Sequence, residues 1–378
     1  MYKIVIVGLG GYRIEIKNLI ADNVEIVAYS QRDNLNKKCN TFDYKPFVNL
    51  LDLAFIEYDF IVLADSNKED IEYIKRVLKQ IGIDSSNVIE YACFRESLCI
   101  NPLKVFYDSE IEFDALLFGM SHSQCSVQPQ LFSEAIYKFA SPSMDLFCQY
   151  KLVQSLINEQ SEKISKVSTF VFEFPYYIFN FDLSRFRKFV INRLYYFYIF
   201  SDYHHFDELE GSSDIIKQFE KYVLLFDKNK TAVKFSYTKE MSSEKNNISL
   251  MKKIKKILKE IVRIIQIFKL KDDVWYKQYK QTQNENIEYW KKIVYMIKKS
   301  NPNAQIKVLI CPFDPLFRIL NKNAIMKNKE YFYNVIGDSA QIYDFFSLDD
   351  DFKFIDHCHL DTQSGFKFCN HLVDTVFR

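Results

Sequence analysis

Residues 114–123 read DALLFGMSHS, and this stretch decides how the chain is interpreted. Ala115 to Phe118 form a short apolar run typical of a buried strand, and Gly119 allows a sharp turn directly after it. Ser121 follows that turn. Ligands of open parallel α/β sheets bind at the carboxyl ends of the strands, so the pattern places Ser121 at the ligand-binding edge. The alternative is a loop serine that caps the next helix.

A second stretch near the other end of the chain supplies what a nucleophilic serine needs. Residues 354–366 read FIDHCHLDTQSGF, with Asp356 and His359 three positions apart. A serine hydroxyl attacks at neutral pH when a neutral imidazole takes its proton, and a carboxylate on the other ring nitrogen fixes the tautomer. We therefore predict that the loop carrying Asp356 and His359 folds against Ser121.

Together the two stretches resemble the SGNH (GDSL-type) hydrolase superfamily. The resemblance is closest to the branch found in bacterial surface-polysaccharide gene clusters, which includes D-alanine transfer proteins of teichoic acid and polysaccharide O-acyltransferases. It covers about residues 112–378 without an insertion. It implies Ser121 as nucleophile, His359 as base and Asp356 as the residue that orients the base.

The same resemblance implies an activity and its partners. The expected function is a serine-dependent transferase, or an esterase, that adds or removes an acyl or acyl-like substituent on a surface polysaccharide or its precursor. The triad itself requires no cofactor. The identity of the activated donor stays open, with an acyl-CoA and a nucleotide-linked compound as the alternatives, and the expected partner is a carbohydrate or polysaccharide acceptor.

Further site residues are predicted around the triad. In the family an oxyanion hole is built by a backbone N–H and an asparagine side chain, and the matching positions here are Ala140 or Ser141, and Asn180. His122, His204 and His205 are candidates for substrate binding, and the alternatives are a surface histidine for His122 and a solvated loop for the other two. No metal is predicted, because one loop cannot easily turn all of its polar side chains, His357 and Cys358 among them, inward.

The first hundred residues predict a different parallel sheet. Strand patterns at Lys3–Val7, Glu25–Tyr29 and Phe60–Leu63 alternate with helical ones such as Glu69–Ile81, which indicates a Rossmann-like domain over residues 1–105.

Three glycines, Gly8, Gly10 and Gly11, follow its first strand as a candidate ligand turn. The third glycine of a dinucleotide fingerprint is replaced by Arg13, and no carboxylate ends the second strand. The turn therefore predicts either a structural turn without ligand or a degenerate nucleotide or sugar-nucleotide site.

Residues 106–378 are predicted to form an SGNH-like, flavodoxin-like α/β/α domain with a largely helical insertion at about 185–280. The expected strands and helices are Ala115–Phe118, Thr169–Phe174, Ile306–Ile310, Gln341–Phe345, Met144–Ile157, Asn286–Lys298 and a closing helix from Gly365. Within the insertion, residues 248–270 combine an apolar stripe with a lysine-rich face. This pattern is typical of a helix on an anionic membrane surface, and equally of a helix packed on the domain or in a dimer.

Composition limits the remaining functions. The net charge of +1 argues against nucleic acid as a partner. The eight cysteines include no CxxC pair and predict small buried side chains in a reducing compartment. The sequence predicts a cytoplasmic protein with a candidate peripheral contact at the inner membrane face. Two rival functions stay open: a polysaccharide-biosynthesis enzyme that binds a nucleotide-sugar or dinucleotide in its first domain, and a non-catalytic assembly protein.

Overall fold

The computed structural model divides into two compact units. Unit 1 comprises Met1–Val105 and Ser184–Tyr237, and unit 2 comprises Phe106–Leu183 and Thr238–Arg378. The structure describes residues 1–8, 12–32, 41–65, 67–92, 102–185, 199–227, 230, 262–265, 267, 275, 277 and 279–377.

Unit 1 contains a four-stranded parallel sheet in the order β2-β1-β5-β6. Its strands are β1 Tyr2–Val7, β2 Val24–Ser30, β5 Phe60–Leu63 and β6 Val88–Glu90, and β3 Thr41–Phe42 pairs with β4 Lys45–Pro46 in a separate antiparallel ribbon. Its helices are α1 Tyr12–Leu19, α2 Lys68–Gln80 and α7 Ser212–Leu225. Helices are numbered in chain order through both units.

Alternate side chains of β1 explain why helices cover both faces of this sheet. Ile4 and Ile6 pack in one buried cluster, and Val5 and Val7 pack in another. The cluster around Ile4 also contains Tyr222 of α7. The expected insertion at 185–280 is therefore divided, since its described residues 199–227 belong to unit 1 and not to the second domain. The apolar face of α7 accounts for this correction, because it is buried on the first sheet.

Unit 2 contains a five-stranded parallel sheet in the order β11-β10-β9-β7-β8. The strands are β7 Ala115–Gly119, β8 Ile136–Ala140, β9 Thr169–Glu173, β10 Gln305–Ile310 and β11 Gln341–Asp344. Numbered within the unit, the order is 2-1-3-4-5, one of the two common doubly wound arrangements. The expectation of an α/β protein built on parallel sheets is confirmed.

Helices connect these strands. They are α3 Pro102–Tyr107, which crosses the unit boundary, α4 Ser121–Ser126, α5 Leu146–Glu159, α6 Ser161–Ser165, α8 Lys280–Ser300, α9 Pro315–Leu320, α10 Lys322–Ile336 and α11 Thr362–Val373. Short 3₁₀ turns lie at Leu50–Phe55, Ser85–Asn87, Pro129–Leu131, Ile178–Asn180, Leu183–Arg185 and Gly337–Ser339.

Helix α11 begins earlier than predicted, at Thr362 and not at Gly365, because Asp361 caps it by accepting the Ser364 N–H. In the described part of the chain, every helix is too short or too polar to span a lipid bilayer.

Candidate active site

Ser121 stands at the point where the strand order of the second sheet reverses. It opens α4, one residue after Met120 and two after the end of β7. Strand β7 lies between β8 on one side and β9 on the other. This reversal creates the crevice in which doubly wound sheets bind ligands. The side chain of Ser121 is half-buried there.

Only glycine fits the end of β7. A Cβ on Gly119 would overlap Ser123 Oγ and would lie 2.8 Å from Glu173 Cβ. The Gly119 carbonyl accepts the Ser141 N–H at 3.1 Å, which ties the turn to the end of β8. Gly119 is therefore required by close packing on both sides of the turn and not by its backbone dihedral angles.

Ser121, His359 and Asp356 form one continuous chain of hydrogen bonds. His359 Nε2 lies 2.7 Å from Ser121 Oγ, and His359 Nδ1 lies 2.6 Å from Asp356 Oδ2. The two ends of the chain are 238 positions apart in sequence. With Asp356 ionised, Nδ1 carries the proton and Nε2 is the acceptor for the Ser121 hydroxyl. The predicted nucleophile, base and orienting carboxylate thus lie together in the geometry that their roles require.

Asp356 is held as a carboxylate by its own loop. Its Oδ1 accepts the N–H groups of Cys358 and His359, both at 2.9 Å. Burial raises the pKa of Asp356, but the hydrogen bond and charge attraction of His359, with the Cys358 N–H, outweigh burial and hold that pKa well below its usual range. The carboxylate therefore fixes the His359 tautomer across the neutral pH range.

Packing of the last helix positions this loop. The Ile355 N–H donates to the His359 carbonyl at 2.7 Å, which closes the loop on itself. A Cβ on Gly365, in the first turn of α11, would lie 3.0 Å from the Cys125 carbonyl of α4. Gly365 thus allows α11 to approach the helix that carries Ser121. This contact brings the loop of His359 close to Ser121.

His357 points into an aromatic environment next to the triad. Its ring lies 5.0 Å from Phe317, and its carbonyl accepts the Asp314 N–H at 3.0 Å. Burial lowers the pKa of His357 to about 4, although the nearby Asp356 acts in the opposite direction. His357 is therefore neutral near pH 7, and its ring packs beside Phe317.

A second carboxylate was not predicted from the sequence. Glu173 ends β9 with no exposed surface, and its Oε1 lies 3.1 Å from Nδ1 of the buried His122. The substrate-binding candidate His122 is thus paired inside the protein with 2% of its surface exposed. The available signal was one carboxylate within the apolar run FVFEF, at the carboxyl end of a predicted strand.

The oxyanion candidates fall in three different settings. Ala140 pairs with Gly119 in the strand ladder, close to the nucleophile turn. The Ser141 N–H is already donated to the Gly119 carbonyl. Asn180 is buried, donates to Asn328 and accepts from Gln283, both at 2.7 Å. We therefore place Asn180 in a buried polar network that holds the turn after β9, and not in the oxyanion hole.

The remaining predicted residues belong to other parts of the molecule. His204 and His205 lie in unit 1, where His204 Nδ1 is 3.2 Å from Ser184 Oγ and His205 Nδ1 is 2.9 Å from Glu208 Oε1. Gly8 has a positive φ of 100°, and its N–H donates to the Ser30 carbonyl at 2.8 Å. This bond ties the turn to the end of β2. Gly10 and Gly11 lie outside the described residues, so their role as a ligand turn stays a prediction.

The basic segment at 248–270 is described only at 262–265 and 267. Arg263, one of its basic residues, forms an ion pair with Asp314, which also caps α9. Both side chains are mostly buried. This contact matches the alternative in which the segment packs on the domain, and a membrane contact stays a prediction.

His359 of the triad and two neighbouring side chains have atoms that metals bind. Nitrogen or sulphur atoms of His122, Cys358 and His359 lie within 4.8 Å of one another. Both His359 nitrogens are already hydrogen-bonded to Ser121 and Asp356, and His122 Nδ1 is bonded to Glu173. We assign these atoms to the hydrogen-bond network and not to a metal site.

Comparisons with known proteins add no family to this geometry. No protein-family model matches the chain, and no curated protein matches it. The functional argument therefore depends on the residues described above.

Proposed function

We propose that unit 2 is a serine-dependent transferase or esterase of the SGNH type, acting on an acyl or acyl-like substituent of a bacterial surface polysaccharide or its precursor. The observation that carries the reaction type is the hydrogen-bonded chain from Ser121 through His359 to Asp356. The sequence resemblance supports the choice of a carbohydrate substrate, and the 2-1-3-4-5 order of parallel strands supports the fold assignment.

In the first step, Ser121 Oγ attacks the carbonyl carbon of the acyl donor. His359 Nε2 takes the hydroxyl proton as the new C–O bond forms, and the resulting imidazolium is stabilised by Asp356. The carbonyl oxygen becomes an oxyanion, for which the Ser121 N–H at the start of α4 is a donor. The leaving group then departs with the proton from His359, which leaves an ester on Ser121.

In the second step, a hydroxyl group attacks that ester. His359 removes the proton of a sugar hydroxyl in transfer, or of water in hydrolysis, and returns it to Ser121 Oγ as the ester bond breaks. Ser121 and His359 are half-buried and not enclosed, so an acceptor can approach them. The same three residues can therefore serve transfer or hydrolysis.

A fluorophosphonate probe, which forms a covalent bond with activated serines, tests this proposal. We expect the folded protein to be labelled on Ser121 and Ser121→Ala to lose all labelling. Ser126→Ala is a matched control, because Ser126 is a buried serine of the same helix whose Oγ has no hydrogen-bond partner within the described residues. Absence of labelling in the folded wild-type protein would reject the serine mechanism and favour the non-catalytic alternative.

A further inference from the structure

The buried pair Glu173–His122 adjoins Ser121, and the His122 ring also stacks on that of His359. Glu173 Oε1 lies 3.1 Å from His122 Nδ1, and neither residue exposes more than 2% of its surface. A carboxyl group is costly to bury unless hydrogen bonds satisfy it. The hydrogen bonds of Glu173 therefore indicate its role in the fold.

Glu173 binds residues on both sides of Ser121. Its Oε2 accepts the Met120 N–H at 2.8 Å and lies 3.2 Å from Ser123 Oγ, while Oε1 faces His122. The Met120 N–H is a donor, and His122 Nδ1 and Ser123 Oγ can each donate or accept, so the three partners can satisfy an ionised carboxylate. An ionised Glu173 requires His122 to donate its Nδ1–H. One side chain thus fixes residues 120, 122 and 123 and leaves Ser121 Oγ directed at His359.

His122 connects this carboxylate to the base. Its ring stacks on that of His359 with centroids 5.4 Å apart and planes 28° apart, and Phe313 packs 5.2 Å from His122. The Glu173 charge therefore lies in a poorly solvated region one imidazole away from His359. A charge in such a region acts over a longer range than it does in water.

We propose that Glu173 and His122 form a positioning pair, in which ionised Glu173 holds the turn that presents Ser121 and, across His122, stabilises the imidazolium that His359 becomes during the reaction. The inference rests on the proposed serine mechanism and adds to it a second buried charge. Neither residue touches substrate in this role, so both act through Ser121 and His359.

Several ionisable groups besides His359 lie near Glu173, His122 or the triad. They are Asp356, His357 and Cys358 from the loop of His359, Cys125 from α4, Cys311 after β10 and Asp314 before α9. Burial raises the pKa of the Cys311 and Cys358 thiols, so both stay neutral. The Glu173 charge adds to the rise in both thiol pKa values, but burial is the larger cause, so both thiols stay neutral when Glu173 is replaced by glutamine.

The test compares Glu173→Gln with wild type by NMR titration of the His359 ring and by the pH profile of fluorophosphonate labelling. Loss of the negative charge disfavours the imidazolium. We therefore expect the His359 titration midpoint, and with it the acid limb of labelling, to move to lower pH by about one unit. Ser123→Ala is the control, since it removes a contact to the same carboxylate oxygen without removing charge, and its midpoint should stay at the wild-type value.

A second variant covers a failure of Glu173→Gln to fold. His122→Gln keeps an N–H donor for Glu173 but removes the stacked ring, and we expect a shift in the same direction about half as large. A folded Glu173→Gln, or in its absence a folded His122→Gln, with the wild-type midpoint would overturn the positioning pair. If the midpoint shifts but wild type is not labelled, the pair stands and the serine transferase proposal fails. If wild type is labelled but the midpoint does not shift, the serine transferase proposal stands and the positioning pair is rejected.

Discussion

The second unit contains two carboxylate–imidazole pairs that differ in their access to solvent. The side chains of Asp356 and His359 remain 36% and 23% exposed, whereas those of Glu173 and His122 are 1% and 3% exposed. The chemical groups are the same, so the difference lies in what each pair can reach. The accessible pair contacts the Ser121 hydroxyl, and the buried pair contacts Met120 and Ser123 on either side of that serine and the ring of His359. Under the proposed mechanism, similar residues thus divide into reacting and supporting roles according to burial.

The largest expected effect tests this division directly. Asp356→Asn keeps an acceptor for the loop N–H groups but presents an amide to His359, which favours the wrong tautomer. We expect the fluorophosphonate labelling rate to fall about 10³–10⁴-fold. Glu173→Gln should lower it about tenfold, because its charge acts across His122. Asp350→Asn, which alters an exposed carboxylate, serves as control. Equal losses in Asp356→Asn and Glu173→Gln would remove the distinction between the pairs.

Gly119→Ala tests how tightly the buried pair is packed against the turn. The added methyl group would overlap Ser123 Oγ and approach Glu173 Cβ to 2.8 Å. We expect the free energy of unfolding of unit 2 to fall by about 3 kcal/mol, measured by chemical denaturation. Adding Ser123→Ala should restore only part of the loss, since the Glu173 contact remains. A Gly119→Ala protein as stable as wild type would show that the turn accommodates a methyl group at position 119.

His357 gives the accessible loop a dependence on pH. Its pKa of about 4 in the folded protein lies below the ordinary histidine value, so the unfolded chain binds the proton first as pH falls. The contribution of His357 to the free energy of unfolding is therefore fully present above about pH 6.5 and is lost as the pH falls toward 4. We expect a loss of about 2 kcal/mol over this range, after allowance for the exposed fifth of the side chain.

His357→Phe removes the titrating group and retains an aromatic ring beside Phe317. Thermal unfolding between pH 6.5 and 4 should then be flatter than in wild type. Loss of the Asp356 charge lies in a separate window at lower pH, because the pKa of Asp356 is depressed. A variant with an unchanged slope between pH 6.5 and 4 would locate the pH dependence elsewhere.

The smallest expected effect concerns the contact that docks the accessible pair. A methyl group at Gly365 would lie 3.0 Å from the Cys125 carbonyl. Gly365→Ala should cost about 1 kcal/mol of unfolding free energy, because the helices can separate slightly. Thr362→Ala, at an exposed position of the same helix, is the matched control. Labelling of Ser121 that is slowed in Gly365→Ala but not in Thr362→Ala would confirm that this contact sets the distance between base and nucleophile.

Local patterns were sufficient to predict most of the strands and the three residues of the triad. The apolar run Ala115–Phe118 and the mostly apolar run Ile306–Ile310, which includes Lys307, end within one residue of the observed strands, because strands buried on both faces need largely apolar sequence. Asp356 and His359 share one short loop, so their pairing is a local property. Their contact with Ser121 is not a local property. It was predicted because a serine hydroxyl at that turn needs a base to act as a nucleophile.

The features that were not predicted depend on contacts between residues that are far apart in the sequence. The strand Ile136–Ala140 contains Tyr137 and Lys138 and lacks a clear apolar run, and it was not predicted. The place of α7 in unit 1 follows from its contacts with a sheet formed more than a hundred residues earlier. Asn180 could be judged only once Gln283 and Asn328 were seen to use both ends of its amide.

The long separation between nucleophile and base has a consequence for synthesis of the protein. A ribosome delivers Ser121 well over two hundred residues before His359. Until the later segment emerges and α11 docks on α4, the nascent polypeptide carries an ordinary alcohol with no partner to remove its proton. Under the proposed mechanism, the growing chain is therefore protected from premature acylation by the order of translation alone.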